Sequence, residues 1–198
     1  MELPLFPLHT VLFPGGLLPL KIFEQRYVEM TKACLKNGTP FGVCLIKRGN
    51  EVAANGAPAP EFAGVGTLAS VASCDVPQPG IFHVRSHGGE RFEVRSHSVR
   101  SDGLVMGDVV PIPTEPAVAI TPAHAALVRF LELLAERLGP QQFPETRAYD
   151  DASWVGYRLA ELLPLPLSIK QGMLEINDSE LRLAMLRKFL TAEGLLRE

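Results

Sequence analysis

Four prolines in an apolar opening constrain this chain more than any other feature. Residues 3–27 read LPLFPLHTVLFPGGLLPLKIFEQRY, with prolines at 4, 7, 14 and 19. Proline carries no backbone N–H, so the stretch cannot be an ordinary interior strand throughout. It reads as two short extended pieces joined at Pro14-Gly15-Gly16, where proline presets φ and glycine accepts positive φ. Beyond that turn, Leu18, Leu20 and Ile22 alternate with Pro19, Lys21 and Phe23, a period of two that predicts a strand. Glu24 to Tyr27 then opens a helix.

The helix is predicted over 25–36, with Tyr27, Met30, Thr31, Cys34 and Leu35 on one face and Gly38 as its stop. Phe41–Lys47 predicts a strand, and Arg48–Glu61, rich in Gly, Pro and Ala, a mobile surface loop. From Gly64 the pattern is β-rich. Gly64–Cys74 is one strand, ended by Asp75 and the Pro77–Gly80 turn. Ile81–Ser86 and Arg91–His97 are predicted as a hairpin about His87-Gly88-Gly89, with Phe82 and Val84 facing Phe92 and Val94, and Arg91 outward. Leu104–Val110 is the next strand, and many short strands with one early helix suggest a closed or half-closed barrel. Prolines at 111, 113 and 116 stiffen the connection that follows, so the boundary is placed between a β-rich part, 1–116, and a helical part, 117–198.

In the second part, Thr121 and Pro122 predict a helix start, with Leu127, Phe130, Leu131, Leu134 and Leu138 as its stripe. Asp150 or Asp151 caps a helix over Ala152–Leu163 that Pro164 ends. Ser168 and Gln171 read as a capping box for Ile169–Ile176, and Asn177 and Glu180 as another for a last helix carrying Leu181, Met185, Leu186, Phe189 and Leu190. Helices this short are not stable alone and must pack as a bundle.

These segments carry a family resemblance. Leu3-Pro4-Leu5-Phe6-Pro7-Leu8, Val11-Leu12-Phe13-Pro14-Gly15 and Leu18-Pro19-Leu20 resemble the opening of the Lon protease N-terminal domain. Gly64–Ala69 and Gly89–Val94 continue the likeness, and Trp154–Glu175, with its ELLPLP centre, resembles the later part of the family's stand-alone members. The resemblance implies an α+β fold: a PUA-like twisted β pseudo-barrel with one early helix, then a small C-terminal helical bundle. It also implies non-catalytic recognition of unfolded or tagged polypeptide, or of a protein partner such as a separate protease. Arg91 matches the family's arginine and Glu24 a polar position after its second strand.

Composition narrows the chemistry. The 198 residues are 46% hydrophobic and 21% charged, with a net charge of −3. That balance is globular and weakens general nucleic-acid or anionic-membrane binding. Cys34, Cys44 and Cys74 lack zinc-knuckle spacing and read as buried or unreactive thiols, which fits a reducing cytoplasm. The opening lacks a signal-peptide pattern, and no apolar run approaches the roughly 18 residues of a membrane span. No GxxxxGK[ST] occurs among these residues, and Ser168 with Lys170 does not make a Ser-Lys pair, being two apart on a helix start. No catalytic residue, metal set or cofactor is expected.

Two surfaces remain as candidate partner sites. One is an apolar rim of Leu12, Phe13, Leu17 and Leu18 beside the Pro14 turn, which would otherwise close the barrel's end. The other is the hairpin face of Arg85, Arg91 and Arg95 with His83, His87 and His97, the basis of an alternative RNA-binding reading. The cleft between the two parts and the hairpin edge are the expected polypeptide surface. A structural ion pair is expected between Glu24 and Arg26 or Arg91. A small-ligand site or dispersed active site is a third reading, with no nucleophile–base pair to support it.

Overall fold

The computed structural model describes residues 1–51, 59–139, 143–144 and 146–196. They fall into two compact units, Met1–Pro113 and Thr114–Glu198. The division lies three residues before the expected 116/117 boundary. Glu115 explains the shift, because its carboxylate belongs to the second unit through Arg182, Tyr157 and Ser153.

The first unit holds seven strands, β1 Glu2–Leu8, β2 Leu17–Ile22, β3 Phe41–Arg48, β4 Glu61–Phe62, β5 Val65–Gln78, β6 Ile81–Val99 and β7 Val105–Pro111, and the helix α1 Gln25–Asn37. The pairing runs β1-β7-β6-β5-β3-β4, with β1 also pairing β3 and β2 pairing β6. The β1–β3 pair is parallel and closes the strands into a twisted pseudo-barrel; the other pairs are antiparallel. The prolines of β1 fit because each half has one neighbour: Glu2–Leu5 faces β7, and Leu5–Leu8 faces β3.

Residues 81–99 correct the expected hairpin. They form one continuous strand, β6, without a turn at His87–Gly89. Its reversals lie instead at Pro79-Gly80 and at 100–104. Gly88 serves close approach rather than a turn. Its amide donates to the Gly16 carbonyl, its carbonyl accepts from Gly15, both at 2.8 Å, and an added Cβ would sit 2.2 Å from the Phe13 oxygen. Opposite this point β5 pairs Thr67 with Arg91 but Ala69 with Gly88, so β6 carries a bulge. The bulge changes the side-chain parity. Arg91, expected outward, is buried at 4% exposure, while His83, Arg85 and His87 remain on the exposed face.

One apolar cluster joins Phe6, Leu8, Leu12, Leu18, Ile22, Tyr27, Met30 and Phe41 beneath α1, and a second gathers Leu3, Leu5, Cys44, Phe92, Val105 and Val109. Helix α1 buries Tyr27, Met30, Thr31 and Cys34 as its spacing predicts, but Leu35 is exposed. Gly38 ends it in the left-handed conformation. β5 runs through Pro77 to Gln78, beyond the expected end at Cys74. The predicted loop is shorter, since β3 includes Arg48 and β4 begins at Glu61, and residues 52–58 lie outside the described residues.

The second unit begins with a single 3-10 turn, Pro122–His124, then α2 Ala125–Leu138, α3 Ala152–Leu162, α4 Leu167–Glu175 and α5 Ser179–Ala192. Thr121 makes no side-chain cap bond. Asp151 caps α3, accepting from the Trp154 amide at 2.7 Å. The other two cap expectations are corrected. α4 starts at Leu167 after Pro166, which places Ser168 inside the helix. α5 is capped by Asp178, which accepts from the Leu181 amide at 3.0 Å, rather than by Asn177. With that register α5 buries Ser179, Arg182, Leu183, Leu186 and Leu190, while Leu181 and Met185 of the same helix are exposed.

Candidate functional site

The open side of β2 organises the site. Gly88 donating to Gly16 sets the ladder's alternation, and the unbroken β2–β6 register carries it forward. Leu18, Leu20 and Ile22 therefore turn their backbone groups toward β6, and Leu17, Pro19 and Lys21 turn theirs away. Pro19 occupies the one type of strand position where a missing N–H disturbs no ladder. β2 pairs with no strand on that side among the described residues.

A groove of about 440 Å³ lies beside β2, lined by Leu18 to Glu24 together with Phe6, Leu8, Thr10, Tyr27 and Glu51. Strand alternation sets its lining: Leu18 and Ile22 join the core while Pro19, Lys21 and the 55% exposed Phe23 face outward. Phe6 and Tyr27 stack with ring centroids 3.9 Å apart. Burial pushes the Tyr27 hydroxyl up to about 12, so it stays neutral.

Arg26 fixes the end of the groove. It bonds Glu24 at 2.8 Å, the Gly103 carbonyl at 2.9 Å and the Glu51 carbonyl at 3.4 Å, and lies over the Tyr27 ring. Glu24 thus has Arg26 as its partner. Arg91, the other expected partner, sits inside the sheet opposite Thr67.

The remaining sequence candidates separate. Leu12, Phe13 and Leu18 are buried and Leu17 is half-buried, so the four do not form an exposed rim. Thr67 holds the segment in place by donating to the Leu12 carbonyl at 2.6 Å. Arg85 is exposed, Arg91 is buried, and Arg95 pairs with Glu93 at 3.1 Å, so the three arginines do not share one face. There is no hairpin edge here either: β6 is flanked by β2, β5 and β7. The groove residues Phe6, Leu8, Leu20, Phe23 and Tyr27 were missed as a site. The signal for them was Pro19 in the outward parity of β2, the mark of an edge strand.

Sequence reasoning also missed the polar centre of the second unit. Arg182 is fully buried and pairs with Glu115, its Nη1 donating to Oε2 at 3.0 Å and its Nη2 to Oε1. Its other N–H groups reach the Met173 carbonyl at 2.9 Å and the Ile176 carbonyl at 2.6 Å. The Tyr157 hydroxyl donates to Glu115 at 2.6 Å, and Ser153 donates to it as well. Burial alone would raise the Glu115 carboxyl, but bonds from Arg182, Ser153 and Tyr157 hold it below the usual range. This is a structural clasp. Lys170 is likewise engaged, donating to the Glu161 carbonyl at 2.6 Å. Burial pushes the Cys44 thiol up to about 12, which makes it a poor nucleophile. Among the described residues no three His, Cys, Asp or Glu converge as a metal set.

Comparison with known proteins decides the family. The profile of the ATP-dependent protease La (LON) substrate-binding domain matches residues 2–192. The chain belongs to the Lon substrate-binding domain family. The crystal structure of a Lon N-terminal domain protein from Xanthomonas campestris is 36% identical at a TM-score of 0.75, covering 95% of this chain and 98% of that one. The N-terminal domain of the Mycobacterium avium complex Lon protease shares the fold at 14% identity and a TM-score of 0.61, covering 96% of this chain and 98% of that one. No curated protein matches the sequence. The Lon substrate-binding domain is a non-catalytic domain, and no helix among the described residues of this member is long and apolar enough to cross a membrane.

Proposed function

We propose that this Lon substrate-binding domain recognises extended polypeptide without catalysing a reaction, by adding a client strand to the open side of β2. The carrying observation is the coincidence of that unpaired edge with a groove whose lining mixes apolar side chains such as Phe6, Leu8 and Phe23 with Thr10, Lys21, Glu24 and Glu51. Main-chain hydrogen bonds give such binding its affinity, and alternate side chains entering the groove give it selectivity. Leu17 and Lys21 each offer an N–H and a C=O, whereas Pro19 offers a C=O alone, so the client pairs with alternate amides. A folded partner, including a protease, engages the edge in the same way through an extended segment. Of the earlier candidates Leu18 belongs to this surface. Burial of Arg91 and the Arg95–Glu93 pair thin the basic face that an RNA reading needs, and the net charge of −3 is unfavourable to it.

The test is a titration of labelled apolar peptides N-methylated at odd or at even amides. One set should bind about tenfold or more weakly, from two or three lost hydrogen bonds of roughly 1 kcal/mol each, and the other should bind like the parent. Phe23→Ser, on an exposed side chain, should weaken all of them. Equal binding by both methylated sets would rule out strand addition.

A further inference from the structure

A second site lies wholly within the helical unit. A shallow pocket of about 610 Å³ beside α5 is lined by His124, Ala184, Arg187, Lys188, Thr191 and Ala192. Positions 184, 187, 188 and 191 recur at three and four residues, so α5 presents them along one stripe. Ala184 and Ala192 keep the floor low, and the side chains that rise from it are cationic or hydroxylic.

His124 is fixed at the wall. Its Nε2 bonds Glu180 Oε2 at 2.8 Å, and the residue is 8% exposed. Its Nδ1 is buried with no hydrogen-bond partner. That atom is shielded from the pocket as well as from solvent, so His124 shapes the wall and offers no bond to an occupant. Arg187 makes one long bond, from Nη1 to the Ala123 carbonyl at 3.3 Å. Lys188 has no partner among the described residues and is exposed. Among the described residues Glu180 is the carboxylate that pairs with His124.

We infer that this pocket binds a phosphate monoester, with Arg187 and Lys188 as its charged donors and the Thr191 hydroxyl completing the oxygen contacts. Two cations with a hydroxyl supply more donors than a carboxylate's two oxygens use, and guanidinium matches phosphate geometry. The pocket is shallow and open, so a phosphate carried on a larger body can reach it. The site is separate from the β2 groove and stands or falls independently of it.

Amide NMR of the whole chain, titrated with inorganic phosphate against sodium chloride at matched ionic strength, tests this. Saturable shifts are expected at His124 and across 184–192, weakened about tenfold or more in the R187Q/K188Q variant. Both replaced side chains are exposed, so the variant should fold as the parent does. Glycerol phosphate and a phosphoserine peptide then distinguish a small-molecule source from a protein one, and tighter binding of either supports the site. Non-saturable shifts, equal shifts with chloride, or an unaltered affinity in R187Q/K188Q would overturn it.

Discussion

The two units reach a unique fold by different means. In the β unit, specification is spread along the chain: prolines at one-sided strand positions, Gly88 where β6 meets the 13–16 turn, and two apolar clusters that share the burial. In the helical unit it is concentrated. Arg182 bonds Glu115, Met173 and Ile176 and lies over Tyr157 at 4.0 Å, so one side chain ties the unit's first residues to three helices and the α4–α5 connection. The difference teaches where each is brittle. A closed ladder tolerates many single losses; a bundle built on one buried ion does not.

Arg182→Ala should therefore be the most damaging single change. It leaves the Glu115 carboxylate buried without its counter-charge, at a cost of about 3–5 kcal/mol. Denaturant unfolding followed by Trp154, the chain's 1 tryptophan, reads the helical unit directly. A loss below about 1 kcal/mol would show that the clasp does not hold the bundle. The same pair sets a pH dependence. Because the folded Glu115 pKa is depressed, its stabilisation is present above the unfolded carboxyl value of about 4.3 and is lost as pH falls through the folded value. Acid melts should show the helical unit weakening below about pH 4, a slope that Glu115→Gln removes.

Gly88→Ala is the corresponding break in the β unit, since its Cβ would press on the Phe13 carbonyl at 2.2 Å. About 1–3 kcal/mol is expected from thermal melts. Gly89→Ala sharpens the point, because its Cβ would meet nothing nearer than 3.6 Å, and the change should fall within about 0.5 kcal/mol. Asp151→Ala and Asp178→Ala, each removing one cap bond, should cost about 1 kcal/mol. Leu181→Gln should cost least, within about 0.5 kcal/mol, because Leu181 is 50% exposed.

The same contrast governs what was legible in the sequence. The opening strands, α1 and the Asp151 cap follow from local rules of proline, glycine and periodicity, and the structure has them. The 87–89 hairpin was misread because a glycine pair needed for a close backbone approach looks the same as one needed for a turn. From that error came the outward placement of Arg91, since the bulge between Gly88 and Arg91 reverses the parity of the side chains directly after it. The α5 cap is Asp178 rather than its neighbour Asn177, and next to the exposed Leu181 it is the charged Arg182 that enters the core. The partners of Arg182 lie 6 to 67 residues away, so no local pattern could find them. The groove was half legible, as the period of two in β2, but its other lining residues come from β1, α1 and the loop positions Thr10 and Glu51.

Polypeptide recognition is tested most directly by titrating the chain with a permanently unfolded protein, reduced and carboxymethylated, at low and high salt, with RNA as the comparison. Saturable binding that persists at high salt and falls with Phe23→Ser is the predicted result. Failure to bind the unfolded protein, or retention of RNA alone that salt abolishes, would contradict it.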